Sequence, residues 1–318
     1  MGNETPPLHS RGFGEAPALH YVEGPTGEPP VRSAEPIPLS REIPPAEGPG
    51  ANPPRPPLLL LHGVSRNCGD WDLLLPGLLR DWHVVALDHR GHGKSARAAR
   101  YLVADYARDA AAFVRGTFSQ PVTILGHSLG AMVALSVAAE CPNLVAAIAL
   151  EDPPFHTMGS AIGDTIYLPQ FAGMQEVARR GGAHGAMTDA LAEIRLPAPQ
   201  GSEGSASTIR LGDLRDRASL ENLAECLSQV DPNVFSPLIA GRWLDTFDHE
   251  ALWPQVACPT LLLQGDPAAG GALTPGDVAI AQRLLANSRH EFFPEVGHQI
   301  HRTRPAEFLE RFRRFSHR

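Results

Sequence analysis

The sequence contains one serine whose neighbours suit nucleophilic catalysis. It lies in Gly126-His127-Ser128-Leu129-Gly130, between an apolar strand candidate at 122–125 and a helix candidate at 129–140. A serine on a tight strand-to-helix turn needs small residues two positions before and after it, because backbone segments pass closely there. The N-terminus of the following helix favours negative charge that develops nearby. The motif and its context therefore predict a reactive hydroxyl at Ser128.

The elements that would position this serine alternate between strands and helices. Leu58–Leu61 is a continuous apolar run, which is typical of a strand buried on both faces. Further strands are predicted at 83–87, 122–125, 144–150, 260–264 and 290–293, and helices at 73–80, 103–115, 129–140, 275–286 and after 305. Strands separated by helices at these distances predict an α/β protein with a parallel sheet and helices on both faces.

With these motifs in place, the sequence resembles the α/β-hydrolase fold family. The similarity covers roughly residues 18–25 and 57–316. Four motifs occur in the family's order: LLLLHG at 58–63, DHRGHGKS at 88–95, GHSLG at 126–130 and VGHQIH at 296–301. The resemblance implies a mostly parallel sheet flanked by helices, with a mainly helical cap inserted after the strand that ends near Leu150.

The resemblance also implies a nucleophilic serine, a histidine after the last strand and an acid between them. Ser128 is then the nucleophile, and His298 is the base that a weakly nucleophilic hydroxyl requires. Two backbone N–H groups, of Leu129 and Val64, are expected to form the oxyanion hole. His62 and His127 are expected to hydrogen-bond locally. His301, three residues beyond His298, is expected to be exposed.

The acid that would orient His298 has three candidates. Many family members place it three residues after the glycine that ends the penultimate strand, but residue 268, three positions after Gly265, is alanine. Asp266 lies two positions before that slot. A minority arrangement, seen in haloalkane dehalogenase relatives and a lactone hydrolase, places the acid after the strand that precedes the cap. Asp152 occupies that position, and Glu151 is the third candidate.

The alternation of strands and helices breaks at Asp152-Pro153-Pro154 and returns near residue 251. We therefore divide the chain into a core of residues 58–152 and 251–318 and a cap of residues 153–250. Because a cap covers the nucleophile, its large side chains are candidates for substrate contact. The candidates are Phe155, His156 and Trp243, together with Met158, Phe171 and Phe235.

The N-terminal part of the chain is rich in proline. Fifteen of the 31 prolines lie in residues 1–57, and most of the stretch from 29 to 57 consists of turn and linker residues. Such a composition buries little apolar area to offset the entropy of ordering. Residues 18–23 (ALHYVE) are a strand candidate. The stretch 29–57 is thus predicted to be a linker-like insertion between two strands.

Composition and charge exclude several classes of protein. The net charge is −8 without a basic stretch, so neither nucleic acid nor an anionic membrane is an expected partner. Four scattered cysteines form no C-x-x-C pair, which favours a reducing compartment. The first residues lack the apolar stretch of a signal peptide, and a cytoplasmic location is expected. A small-molecule substrate, mainly apolar, is the expected partner; the oligomeric state stays open.

No metal or cofactor is expected. The Gly93-Lys94-Ser95 sequence lacks the earlier glycine of a phosphate-binding loop, because position 88 is aspartate. The surrounding turn is interpreted as structural, with Arg90 as a candidate ion-pair partner. No paired histidines or clustered cysteines with metal-ligand spacing occur along the chain.

The motifs favour a serine hydrolase that cleaves an ester, lactone or related carbonyl compound through an acyl-enzyme. A C–C bond hydrolase and a cofactor-free perhydrolase or haloperoxidase use the same kind of serine and remain alternatives. A non-catalytic ligand-binding protein on the same fold is the alternative from a different class, because fold does not fix function.

Overall fold

The structure, a computed structural model, describes residues 18–23, 31–32, 55–159, 161–198 and 208–316. Eight strands form one sheet and two form a separate ribbon. The ten strands in chain order are β1 (Tyr21–Glu23), β2 (Val31–Arg32), β3 (Pro57–Leu61), β4 (His83–Leu87), β5 (Val122–His127), β6 (Val145–Glu151), β7 (Arg195–Pro197), β8 (Thr208–Arg210), β9 (Thr260–Gly265) and β10 (Ser288–Phe293). The large sheet has the order β10-β9-β6-β5-β3-β4-β1-β2, and β7 pairs with β8.

Six adjacent strands of the large sheet, from β10 to β4, run parallel, and β1 and β2 add antiparallel pairings at one edge. The register brings the carboxyl ends of the central strands together: His127 lies opposite Glu151, and Glu151 lies opposite Leu263. Residues that immediately follow these strands therefore meet at one edge, which is where parallel α/β sheets bind ligands. Ser128 and Asp152 are two such residues.

The described part of the chain contains twelve α-helices. In chain order they are α1 (Leu75–Asp81), α2 (Val103–Thr117), α3 (Leu129–Glu140), α4 (Tyr167–Arg180), α5 (His184–Ala192), α6 (Leu211–Leu214), α7 (Arg217–Ser228), α8 (Ser236–Ile239), α9 (His249–Leu252), α10 (Pro275–Leu284), α11 (Ile300–Thr303) and α12 (Pro305–Ser316). None of these helices is long and apolar enough to cross a membrane. The helices predicted in the core all form, with ends shifted by a few residues.

Two apolar clusters cover the two faces of the sheet. Along β3, Leu59 and Leu61 belong to the cluster that contains α2 and α3, whereas Leu58 and Leu60 belong to the cluster that contains α1 and α12. Side chains alternate between faces along a strand, so burial on both faces requires apolar residues at every position. This explains the uninterrupted leucine run. Helix α3 is apolar all round, and its residues from Leu129 to Ala138 are all buried.

Residues 153–250, predicted to be the cap, lie between β6 and β9 and contain α4 to α8, the start of α9 and the β7–β8 ribbon. Their buried side chains belong to the same apolar cluster as α2 and α3. The insertion therefore shares one apolar core with α2 and α3.

The proline-rich region contributes to the sheet at two places. The strand expected within 18–23 is β1, and Tyr21 lies opposite Leu87 of β4. Strand β2 lies inside the stretch predicted to be linker-like, and Val31 pairs with Glu23. Most of residues 29–57 lie outside the described residues.

Candidate active site

Ser128 occupies a strained turn between β5 and α3. Its backbone has φ 54° and ψ −113°, a conformation that residues with side chains rarely adopt. The flanking glycines make the turn possible, because a Cβ on Gly126 would lie 2.2 Å from the carbonyl oxygen of Gly130. A Cβ on Gly130 would lie 1.9 Å from the carbonyl oxygen of Leu61. The spacing of the two glycines in the motif thus has a direct steric cause.

Two backbone N–H groups near Ser128 belong to Leu129 and Val64. Leu129 is the first residue of α3, and Val64 follows Gly63 in the loop after β3. This loop is close to the serine, since a Cβ on Gly63 would lie 3.3 Å from the Ser128 Cβ. Within the described ranges, neither the Leu129 nor the Val64 N–H donates a hydrogen bond. Both groups are therefore available to a ligand.

Asp152 and His298 form a short hydrogen bond. The distance between His298 Nδ1 and Asp152 Oδ2 is 2.6 Å, and the Asp152 side chain is fully buried. Its Oδ1 accepts from the N–H groups of Gly265 (3.0 Å) and Leu273 (3.2 Å), and its Oδ2 also accepts from that of Ala272 (2.6 Å). Three backbone donors fix the direction of the carboxylate.

The other two acid candidates have different partners. Asp266 begins a turn: its Oδ1 accepts from the Ala268 N–H at 2.9 Å and its Oδ2 from the Glu295 N–H at 3.0 Å. Glu151 contacts His301, whose Nδ1 lies 2.8 Å from Glu151 Oε2. The structure therefore brings one of the three candidates, Asp152, to the His298 ring.

His301 is fully buried, so the expectation that it would be exposed is wrong. Its Nδ1 and its backbone N–H both bond to Glu151, and its Nε2 lies 3.4 Å from Asp70 Oδ2. Burial disfavours the charged ring, but Glu151 and Asp70 outweigh that effect and raise the pKa of His301 to about 9. An imidazolium held between two buried carboxylates thus lies three residues from His298.

His127 packs against His298 and hydrogen-bonds to its backbone. Its Nε2 donates to the carbonyl oxygen of His298 at 3.0 Å, and the two rings lie 4.7 Å apart. Burial, and then the neighbouring His298 and His301, hold the pKa of His127 well below its usual range. A neutral ring with the proton on Nε2 fits this contact.

The DHRGHGKS loop, residues 88–95, is held in place by hydrogen bonds within the protein, and the ion pair expected for Arg90 forms. The Asp88 carboxylate accepts from the N–H groups of Cys68 (2.6 Å) and Lys94 (3.0 Å). Arg90 pairs with Asp109 through two hydrogen bonds of 2.5 Å. His62 donates from Nδ1 to the adjacent carbonyl of Gly63 and accepts from a backbone N–H at Nε2. These contacts hold the loop that carries Val64.

Two residues of the insertion that the sequence reasoning did not single out lie close to His298. The Tyr167 ring lies 5.9 Å from the His298 ring, and the Arg215 guanidinium donates to Oε1 of Gln299 at 3.0 Å. Tyr167 stacks on Phe171, and Phe171 stacks on Phe235. Nothing in the sequence distinguishes Tyr167 or Arg215 from other residues of the insertion, because their proximity to His298 exists only in the folded chain.

The residues predicted to contact substrate have varied surroundings. Phe155 is 2% exposed and stacks on His249 at 4.6 Å between ring centres, and Trp243 is 1% exposed. His156 is exposed. Packing within the protein already accounts for the burial of Phe155 and Trp243, so substrate contact by the three residues stays a prediction.

Two groups of potential metal ligands lie close together: His20, Cys68 and Asp88, and His127, Glu151 and His301. In the first group His20 Nδ1 lies 2.7 Å from Asp88 Oδ2, and in the second His301 Nδ1 lies 2.8 Å from Glu151 Oε2. A metal ion would have to displace these hydrogen bonds. The bonds themselves explain why the side chains are close.

The chain belongs to the α/β-hydrolase fold family. Residues 56–305 match the family model described as alpha/beta hydrolase fold. A serine hydrolase-like protein of Danio rerio is 35% identical over 99 residues, which are 30% of this chain and 30% of the relative. The 2-(acetamidomethylene)succinate hydrolase of Mesorhizobium japonicum is 33% identical over 102 residues, 31% of this chain and 37% of the relative. The matches thus span about a third of these curated relatives.

Solved structures extend the likeness over most of the chain. The crystal structure of E-2-(acetamidomethylene)succinate hydrolase covers 83% of this chain and 92% of its own, with a TM-score of 0.62 and 20% identity. The enol-lactonase from Burkholderia xenovorans covers 83% and 92%, with a TM-score of 0.61 and 18% identity. At these identities the likeness shows the fold.

Proposed function

We propose that the protein is a serine hydrolase that cleaves an ester, lactone or related carbonyl compound, with Ser128, His298 and Asp152 as its catalytic triad. The observation that carries this proposal is the 2.6 Å bond between Asp152 and His298. The His298 ring lies 4.7 Å from that of His127, the residue before the strained Ser128 turn. A carboxylate on Nδ1 leaves Nε2 as the basic nitrogen of a neutral imidazole. That is the state a general base requires.

The acylation step uses His298 twice. Ser128 Oγ attacks the carbonyl carbon while Nε2 of His298 takes the hydroxyl proton, and the carbonyl electrons move onto the oxygen. The Leu129 and Val64 N–H groups, which have no acceptor among the described residues, bind that oxyanion. The tetrahedral species then expels the leaving group, which receives the proton from His298. The product of this step is an acyl ester on Ser128.

Deacylation repeats the same chemistry with water. His298 removes a proton from the water molecule as its oxygen attacks the acyl carbon, and the oxyanion again lies at the two N–H groups. Collapse of this species releases the carboxylic acid and returns the proton to Ser128 Oγ. Asp152 stays ionised throughout and stabilises the imidazolium that forms twice in each cycle.

Residues 153–250 act, in this proposal, as a cap over Ser128 and select the substrate. The names of the relatives agree with this chemistry, since they include a hydrolase of 2-(acetamidomethylene)succinate and an enol-lactonase. C–C bond hydrolysis, perhydrolase chemistry and ligand binding without catalysis stay as the alternatives.

Labelling with a fluorophosphonate tests the proposal. The probe phosphonylates serines that an adjacent base has activated, so the wild-type protein is expected to label and Ser128→Ala is not. Ser136→Ala is the matched control: Ser136 lies two turns along the same helix and donates only to the carbonyl of Met132. Ser136→Ala is expected to label like the wild type. Equal absence of label in the wild type and Ser128→Ala would refute the enzymatic function.

A further inference from the structure

Arg215 lies where the insertion meets the His298 loop. It follows α6 directly, and its backbone N–H donates to the carbonyl of Leu211. The side chain reaches the core, where its guanidinium donates to Oε1 of Gln299 at 3.0 Å. Gln299 is the residue after His298. Arg215 as a whole residue is half-buried.

Among the described residues, the Arg215 guanidinium has no carboxylate partner. Across the described ranges, no Asp or Glu oxygen lies within 4.0 Å of it, whereas Arg66 and Arg302 each approach Asp70. Asp70 cannot serve Arg215 as well, because its carboxylate already faces Arg66 at 3.9 Å, His301 at 3.4 Å and Arg302 at 3.5 Å. Asp70 and Asp216 therefore act on Arg215 only at longer range, and its guanidinium is left without a carboxylate in contact.

The pKa of Arg215 agrees with the lack of a carboxylate in contact with its guanidinium. Burial, and then the like charge of Arg66, lower the pKa of Arg215 to about 10. Each of the other arginines with a resolved shift has a raised pKa, and each of those pairs with a carboxylate. A partly desolvated guanidinium without a counter-charge is costly to maintain and binds an anion strongly.

Tyr167 is a second residue of the insertion that contacts the His298 loop. Its ring lies 5.9 Å from the His298 ring, and its hydroxyl donates to the carbonyl of Gly270 at 2.8 Å. The hydroxyl interacts electrostatically with both Asp152 and Arg215. Tyr167 and Arg215 thus both contact the segment of His298 and Gln299, Tyr167 through its ring and Arg215 through the Gln299 side chain.

We propose that Arg215 forms a subsite that binds a carboxylate group of the substrate, with Arg66 adding to the positive field. The planar guanidinium presents two parallel N–H donors that match a carboxylate. The subsite deepens the proposed function, since it names the charge of the substrate that Ser128 would attack. The expected substrate is a small carbonyl compound with a free acid group near the bond to be cleaved.

Calorimetric titration with succinate tests the subsite without any turnover. Succinamide, which has the same carbon skeleton and no charge, is the matched ligand control. Arg217→Met is the matched protein control, because Arg217 is two residues away, exposed, and paired with Asp189 and Glu221. We expect succinate to bind the wild type, and its Kd to rise about tenfold to a hundredfold in Arg215→Met. We expect Arg217→Met to bind like the wild type, and succinamide to bind much more weakly than succinate.

A second variant covers the case in which Arg215→Met does not fold. Arg215→Lys keeps the charge and loses the two-pronged geometry, so its Kd is expected to lie between those of wild type and Arg215→Met. Equal Kd values for wild type and the Arg215 variants, or tighter binding of succinamide, would overturn the subsite. So would the absence of succinate binding to the wild type at millimolar concentration.

Binding and labelling separate the two proposals. If Arg215 governs succinate binding but Ser128 takes no fluorophosphonate, the subsite stands and the hydrolase function fails. If Ser128 takes the label and the Kd of succinate is unchanged in the Arg215 variants, the hydrolase function stands and the subsite fails.

Discussion

Asp152 Oδ2 lies 2.6 Å from His298 Nδ1 across 146 positions of sequence, and the neighbouring Glu151 contacts His301 in the same way. Two consecutive acids at the end of β6 thus hold two histidines that are three residues apart. The first pair includes a partly exposed ring, and the second is fully buried. The two carboxylates therefore have different surroundings.

Replacement of Asp152 is expected to impair turnover far more than replacement of Asp266. Asp152→Asn removes the charge that orients His298 and stabilises its imidazolium, and kcat for a short 4-nitrophenyl ester should fall about 10³- to 10⁴-fold. Asparagine tolerates the positive φ of 46° at this position, so the backbone is preserved. Asp266→Asn is the control and should stay within about threefold of wild type, because Asp266 contacts backbone N–H groups of a turn. Collapse in Asp266→Asn with near-normal activity in Asp152→Asn would reverse the assignment.

The glycine two residues after Ser128 is expected to be essential for folding. In Gly130→Ala the added methyl group would meet the Leu61 carbonyl oxygen, so β3 and α3 would have to separate. We expect a loss of about 3 kcal/mol or more in the free energy of unfolding, measured by urea denaturation. Gly185→Ala is the control, since a Cβ on Gly185 in α5 meets no atom within 4 Å. That variant should lie within about 1 kcal/mol of wild type; a similar loss in both variants would disprove the steric explanation.

The buried imidazolium predicts a loss of stability with rising pH. The pKa of His301 rises from an ordinary value of 6.5 to about 9 in the folded protein, so the folded state binds its proton more tightly. This stabilisation is complete below pH 6.5 and is lost as the pH rises through 9, by about 3 kcal/mol. Urea unfolding at intervals between pH 6.5 and 9 measures the decline.

Two variants isolate the contribution of His301 to this decline. His301→Gln should be less stable throughout and should lack the decline between pH 6.5 and 9. His184→Gln changes a histidine on a part-exposed helix start, where Nε2 contacts the Glu221 carbonyl oxygen, and should keep the decline. The same slope in His301→Gln as in the wild type would rule out the charged His301.

The sequence was sufficient for the fold because the strongest signals are local. The leucine run of β3 and the Gly-x-Ser-x-Gly turn each depend on neighbours within a few residues. The order of these motifs along the chain indicates the family and therefore its order of strands in the sheet. The identity of the acid depends on which carboxylate reaches His298 in space. Asp152 and Asp266 both follow a strand at the same edge of the sheet, so their positions in the sequence do not show which of them reaches His298.

Contacts between distant segments explain what the sequence reasoning missed. His301 looks like a surface residue in a polar stretch, but Glu151 and Asp70, 150 and 231 positions away, enclose it. Arg215 belongs to the insertion, and its position beside Gln299 arises when the insertion packs on the core. No periodicity or motif reports such contacts.

Rapid acid quenching followed by peptide mass spectrometry tests the catalytic role of Ser128 most directly. The wild-type protein is mixed with a 4-nitrophenyl ester and quenched within milliseconds, and the digested peptides are searched for the mass of the acyl group. The triad predicts that the acyl group appears on the peptide containing Ser128, in proportion to the 4-nitrophenol released in the first turnover, and that it is absent in Ser128→Ala. Ester hydrolysis at an undiminished rate in Ser128→Ala, or an acyl group on another residue, would contradict the account.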